Sequence, residues 1–143
     1  MYIGEYNHST DSKGRVIMPA KFREELGEKF YITKGMDSCL FIYDEDEWMN
    51  LDAKMRNLRL TSKKAREFSR MFYAPARELT LDKQGRILIP QNLRSYAQIS
   101  KDVVIIGVST RIEIWDQKVW DQYISREEMN YEEIMDEFEE LDI

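Results

Sequence analysis

The sequence predicts an α+β fold of two related halves, closing into one compact β-barrel with pseudo-twofold symmetry and flanking helices. Three observations carry this. Asp11-Ser-Lys-Gly-Arg-Val-Ile-Met-Pro returns as Asp82-Lys-Gln-Gly-Arg-Ile-Leu-Ile-Pro, 71 residues later. The match then continues in the same order. Phe22-Arg23 answers Leu93-Arg94, and at an offset of 72 Gly35 answers Gly107, Tyr43-Asp44 answers Trp115-Asp116, and Trp48 answers Trp120. A correspondence of this extent with one inserted residue marks a duplication. Finally, a copy of about fifty residues and four short strands buries too little surface to be secure alone. Two copies that pack face to face, or interleave strands, remove that deficit.

Each copy begins with a strand-like run, residues 6–10 and 77–81, where Leu79 and Leu81 alternate with their neighbours. Asp-x-x-Gly then signals a tight turn. Asp11 and Asp82 are placed to accept a hydrogen bond from the backbone two residues on, and Gly14 and Gly85 to take the left-handed conformation. A second strand follows at residues 15–18 and 86–89. Pro19 and Pro90 stop the ladder and open a short helix, where a missing N–H costs nothing. Phe22 with Leu26, and Leu93 with Ala97, share one face of it.

A hairpin comes next, residues 30–34 to 39–43 in the first copy and 103–107 to 111–115 in the second. It turns at Gly35 with Asp37-Ser38, and at Ser109-Thr110. Asp44 and Asp116 are expected N-caps, and Glu47 brings the first close to a capping box. Trp48, Leu51, Met55 and Leu58 keep a helical spacing. A second helix over residues 62–72, with Ala65, Phe68 and Phe72 on one stripe, joins the copies. Near the end, Ser125-Arg-Glu-Glu reads as another capping box, and Met129, Ile134, Met135 and Phe138 hold a helical rhythm. The division that follows is residues 1–51 for the first repeat, 52–75 for a helical connector, 76–125 for the second repeat and 126–143 for an acidic C-terminal helix.

Only six Gly and three Pro, with 43% hydrophobic residues, suit a packed interior and not a disordered chain. No apolar run approaches the roughly 18 residues of a membrane span. The first residues lack the basic start and apolar stretch of a secretory signal. A single cysteine, Cys39, excludes an internal disulfide and suits a reducing compartment, so the expected setting is the cytoplasm. The net charge of −6 hides an asymmetry: residues 126–143 hold nine acidic residues against Arg126, a net of −8. Residues 52–77 hold eight Lys or Arg against Asp52 and Glu67, a net of +6. Screening limits each field to about 8 Å at cellular salt, so the two segments matter more than their sum.

The repeated turn is the candidate for chemistry. Arg15 and Arg86 stand directly after the glycine at the base of each hairpin, Lys13 and Lys83 lie within the turn, and Asp11, Gly14, Asp82 and Gly85 support it. A guanidinium makes two parallel hydrogen bonds to guanine O6 and N7 or to a phosphate. Each good bidentate pair discriminates against a wrong base by about 1–3 kcal/mol, and a β-ribbon fits the major groove. The same residues equally make local ion pairs that only staple the hairpins. Residue chemistry alone leaves both readings open.

The other features read more plainly. The basic stretch 52–77 is a solvated helix face before it is a DNA contact, and residues 44–47 are carboxylates at a helix start before they are a metal cluster. His8 has no second imidazole, Cys39 belongs to the core, and Trp48 and Trp120 play matching packing roles. The acidic end is a solvated amphipathic helix. Without a phosphate-binding Gly loop, a nucleophile elbow or zinc spacing, the chain is not expected to be an enzyme, and no cofactor or metal is expected.

Asp11-Ser-Lys-Gly-Arg15-Val-Ile-Met-Pro19-Ala-Lys-Phe-Arg23 and Asp82-Lys-Gln-Gly-Arg86-Ile-Leu-Ile-Pro90 resemble the paired D-x-x-x-R motifs of the MraZ transcriptional regulators. The similarity extends through residues 35–48 and 107–120. A single such motif is shared with AbrB-type transition-state regulators and some antitoxins; its tandem arrangement points to MraZ. The resemblance implies tandem AbrB-like swapped-hairpin repeats forming one unit, and ring-like homo-oligomers. It also implies binding to direct repeats of double-stranded DNA upstream of the chain's own operon, in a bacterial cell-division and cell-wall gene cluster. That would make the protein nucleoid-associated, with no membrane and no small-molecule substrate as partner. Carried onto this chain, the DNA-contacting arginines are Arg15 and Arg86. Lys13 fits the usual Lys before Gly, whereas its counterpart is Gln84, so the copies are expected to contact DNA unequally, with Lys83 acting mainly through phosphate. The rival reading is an AbrB-like antitoxin or protein-interaction module, which usually carries one motif and a disordered tail.

Overall fold

Alternation along the strands sorts side chains onto two faces of a sheet, and those faces set the layers. The computed structural model describes residues 1–142. In chain order the elements are β1 (Tyr2–Ser9), β2 (Arg15–Ile17), α1 (Ala20–Leu26), β3 (Phe30–Lys34), β4 (Leu40–Asp44), α2 (Glu45–Met55) and α3 (Lys63–Tyr73). They continue as β5 (Arg77–Leu79), β6 (Arg86–Leu88), α4 (Gln91–Tyr96), β7 (Asp102–Ser109), β8 (Arg111–Asp116), α5 (Gln117–Ile124) and α6 (Tyr131–Asp136), ending in a 3₁₀ turn at Glu139–Leu141.

Six strands form one antiparallel sheet in the order β1-β7-β8-β4-β3-β5, and β2 pairs with β6 in a separate ribbon. Replacing every strand by its counterpart in the other copy returns the same order read from the opposite edge. The copies are interleaved: β1 of the first runs along β7 of the second from Tyr2↔Ser109 to Ser9↔Asp102, and β5 of the second pairs with β3 of the first. Strands β4 and β8 meet at the central seam, from Leu40↔Ile114 to Ile42↔Ile112.

The expected closed barrel is corrected by this topology. The sheet is open, with β1 and β5 as its edges. The ribbon does not join it but lies across one face, so the core is filled by layering and not by closure. On that face Phe30, Ile32, Leu40, Ile42, Val103, Ile105, Ile112 and Ile114 meet Val16, Met18, Ile87 and Ile89 from the ribbon, with Phe22, Leu26 and Leu93 from α1 and α4. The opposite face is covered by α2, α3 and α5. Trp48 stacks on Tyr31 at 4.8 Å and on Phe72 at 5.4 Å, while Trp115 meets Trp120 at 5.1 Å. The matched tryptophans thus anchor equivalent helices on equivalent halves of the sheet. The buried Cys39 belongs to the second of these clusters, as expected.

Three local expectations change. Strand β1 starts four residues before the expected run, because its whole length is paired by β7. Leu58 lies beyond α2, whose last residue is Met55. Ser125 closes α5, its N–H donating to Asp121 O, and so does not open a helix; the final helix is capped by Asn130 and spans six residues. Neither α6 nor the 3₁₀ turn has a buried residue. Ile143, the last residue of the expected acidic helix, lies outside the described residues.

Candidate nucleic-acid interface

The two D-x-x-G-R turns close in the same way. Gly14 N donates to Asp11 O and Gly85 N to Asp82 O, each at 3.0 Å. Asp11 Oδ1 accepts from the backbone N–H of Lys13 at 3.0 Å and of Arg15 at 2.8 Å; Asp82 Oδ1 accepts from those of Gln84 at 2.9 Å and Arg86 at 2.8 Å. The other carboxylate oxygen takes the arginine side chain: Arg15 Nε to Asp11 Oδ2 at 2.6 Å, Arg86 Nε to Asp82 Oδ2 at 2.8 Å. The Arg15 backbone N–H, more than the guanidinium, holds the Asp11 carboxyl down at about 2, and the same arrangement lowers that of Asp82. Gln84 in place of a lysine leaves the turn unchanged, because only its backbone is used.

The glycines are required twice over. Gly14 and Gly85 have φ of 85° and 78°, where a side chain is strained. A Cβ on Gly14 would also run into the guanidinium of Arg94, and one on Gly85 into that of Arg23. Each copy's short helix therefore sends an arginine over the other copy's turn. The sequence match of Arg23 with Arg94 was the only signal of this, and without the swap it carried no role. Reciprocal backbone bonds, Met18 N to Gly85 O at 2.9 Å and Ile89 N to Gly14 O at 3.0 Å, tie the two turns together.

The ribbon brings the two candidate arginines onto one surface. In its register Arg15 faces Leu88, Val16 faces Ile87 and Ile17 faces Arg86. Val16 and Ile87 point into the core, so Arg15, Ile17, Arg86 and Leu88 share the outward face. Arg86 Nη1 lies 3.9 Å from Asp11 Oδ2, which places the two motifs side by side. The local ion pair of the stapling reading is thus formed, yet it occupies Nε alone. Among the described residues no hydrogen bond engages the Nη groups of Arg15 or Arg86, and both side chains are partly exposed. The aspartate aims the fork and leaves its outer donors for another acceptor. Lys13 and Lys83 are exposed in the turns.

A family model described as "MraZ protein, putative antitoxin-like" matches residues 1–71 and again residues 72–139. The chain belongs to the MraZ family. Over all 143 residues, and over the full length of each relative, it is 58% identical to a Transcriptional regulator MraZ of Acetivibrio thermocellus. The corresponding proteins of Thermoanaerobacter sp. and Clostridium tetani, under the same name, are 57% and 55% identical over the same span. The family is one of transcriptional regulators and not of enzymes. Each half of the chain matches the one MraZ model, which is the duplication seen in the turns.

The remaining candidates fall outside the ribbon. Asp44 and Asp116 cap α2 and α5, and among the described residues no group of His, Cys, Asp and Glu is arranged to hold a metal. Among the same residues no helix is long and apolar enough to cross a membrane.

Proposed function

We propose that this protein is a transcriptional regulator that binds double-stranded DNA at direct repeats upstream of its own operon, in a bacterial cell-division and cell-wall gene cluster. It acts as a ring-like homo-oligomer in the cytoplasm, associated with the nucleoid. The observation that carries this is the shared ribbon face, on which two aspartate-aimed guanidinium forks project outward with no hydrogen bond, among the described residues, to their Nη donors. Arg15 and Arg86 read bases, while Lys13 and Lys83 contact phosphate. The protein divides as residues 1–51 and 76–125 for the two AbrB-like repeats, with 52–75 linking them and 126–143 as the acidic end. A few base contacts per subunit bind weakly, but subunits held in one assembly on adjacent repeats gain effective concentration.

The test is Arg15→Ala and Arg86→Ala, assayed by fluorescence anisotropy on the duplex upstream of the gene, with circular dichroism and mass of the assembly as controls. Each variant is expected to fold and assemble normally and to lose about tenfold or more in affinity, the value of one bidentate contact. Unchanged affinity in both would reject the assignment. The antitoxin-like part of the family description favours a second reading, in which a toxin binds the acidic end; co-purification of a toxin from a neighbouring gene is its test.

A further inference from the structure

Two large apolar side chains sit where a solvated ribbon would carry polar ones. Ile17 is 46% exposed and Leu88 is 53% exposed. They occupy equivalent positions in the two copies, two residues after Arg15 and Arg86, so the feature arises twice in one molecule. Each stands directly across the ribbon from the other copy's arginine. The face is therefore a checkerboard of two guanidinium groups and two aliphatic groups.

We infer that Ile17 and Leu88 read the C5-methyl groups of thymine in the major groove, beside bases held by Arg15 and Arg86. This rests on the reading of the ribbon as a DNA-binding face. The major groove is the part of a duplex that offers both chemistries on one surface, acceptor edges on guanine and a methyl group on thymine. A phosphate backbone has acceptors but no apolar group. A second copy of the same face fits worse, because Arg15, Arg86, Arg23, Arg94, Lys13 and Lys83 outweigh Asp11 and Asp82 there and two such faces repel. Burial against protein would also strand the Nη donors.

Spacing sharpens the inference. Residues two apart on a strand are about 6.6–6.8 Å apart, close to two base-pair rises of about 3.4 Å. The recognised sequence therefore places the thymine read by Ile17 about two steps from the guanine read by Arg15, and that read by Leu88 about two steps from the guanine read by Arg86.

The experiment selects duplexes from a randomised library with the wild-type protein, then replaces each thymine of the tightest duplex by deoxyuridine, which removes the methyl and keeps the pairing. Wild type should lose about fourfold in affinity at each contacted thymine, the value of one buried methyl-sized group. An Ile17→Ser, Leu88→Ser double variant, altered only at exposed positions, should bind the thymine and deoxyuridine duplexes equally. Equal wild-type binding to both duplexes at every position would overturn the inference. So would a thymine preference that survives in the double variant, selected duplexes without thymine, or a double variant changed only in the mass of its assembly. Failure to enrich any sequence, seen before a thymine is touched, would overturn the DNA-binding reading itself and this inference with it.

Discussion

Arg94 lies over Gly14 and Arg23 over Gly85, so the glycine of each turn serves the partner copy's arginine as well as its own backbone. This makes the turn sensitive to one methyl group. Gly14→Ala should cost about 1–2 kcal/mol from the left-handed backbone alone, and more from displacing Arg94. Arg94→Ala should relieve the second part and not the first, so the double variant should be more stable than the sum of the single losses predicts. Urea denaturation of the four proteins checks this; strict additivity would show that Arg94 gives way freely. The position of the aspartate, glycine and arginine in the turn was legible in the sequence because their roles are local. The crossed arginines were not, because no spacing along one copy reveals what the other copy lays over it.

Among the elements, the N-caps were the most legible, since a cap is settled within three or four residues. Asp44 accepts from Glu47 N, and Asp116 accepts from Lys118 N and Val119 N, as their place after a strand implies. Asp116 does more than cap: its other oxygen accepts from Ser100 N, fixing the turn before β7, and the residue is 5% exposed. Asp116→Ala should therefore cost about 2 kcal/mol, the upper end for a lost cap, because part-buried donors at two sites lose their acceptor. Asp116→Asn keeps one acceptor oxygen and turns an NH2 donor toward the other site, so it should recover one of the two bonds and about half of the loss; thermal or urea unfolding of both variants measures it. Where the sequence misled, the evidence lay far along the chain. The start of β1 depends on β7 about a hundred residues away in sequence, as Tyr2↔Ser109 shows; Ser125 is the local exception, its N–H taken by Asp121 O four residues before it.

At the scale of the molecule, the duplication was legible and its consequence only half so. Two weak copies do interleave, but the swap produces an open layered sheet and not a closed barrel, since β2 and β6 prefer each other to the edges β1 and β5. The same interleaving gathers the cationic turns into one face, while the acidic charge stays at the far end of the chain. Residues 126–143 carry a net of −8, and no residue of α6 is buried, so this charge is not consumed in holding the fold together. An exposed counterweight of that size should oppose sequence-independent attraction to phosphates, which is electrostatic and dominates at low salt, more than it opposes base-specific contacts. Deleting residues 127–143 should raise affinity for a random duplex several-fold at low salt and leave unfolding by urea nearly unchanged, with the gain fading as salt rises. Titrating both proteins with random and selected duplexes across a salt series measures it. An affinity for random duplex that does not move, or a gain that persists at high salt, would remove the electrostatic role and leave the acidic end to a partner protein.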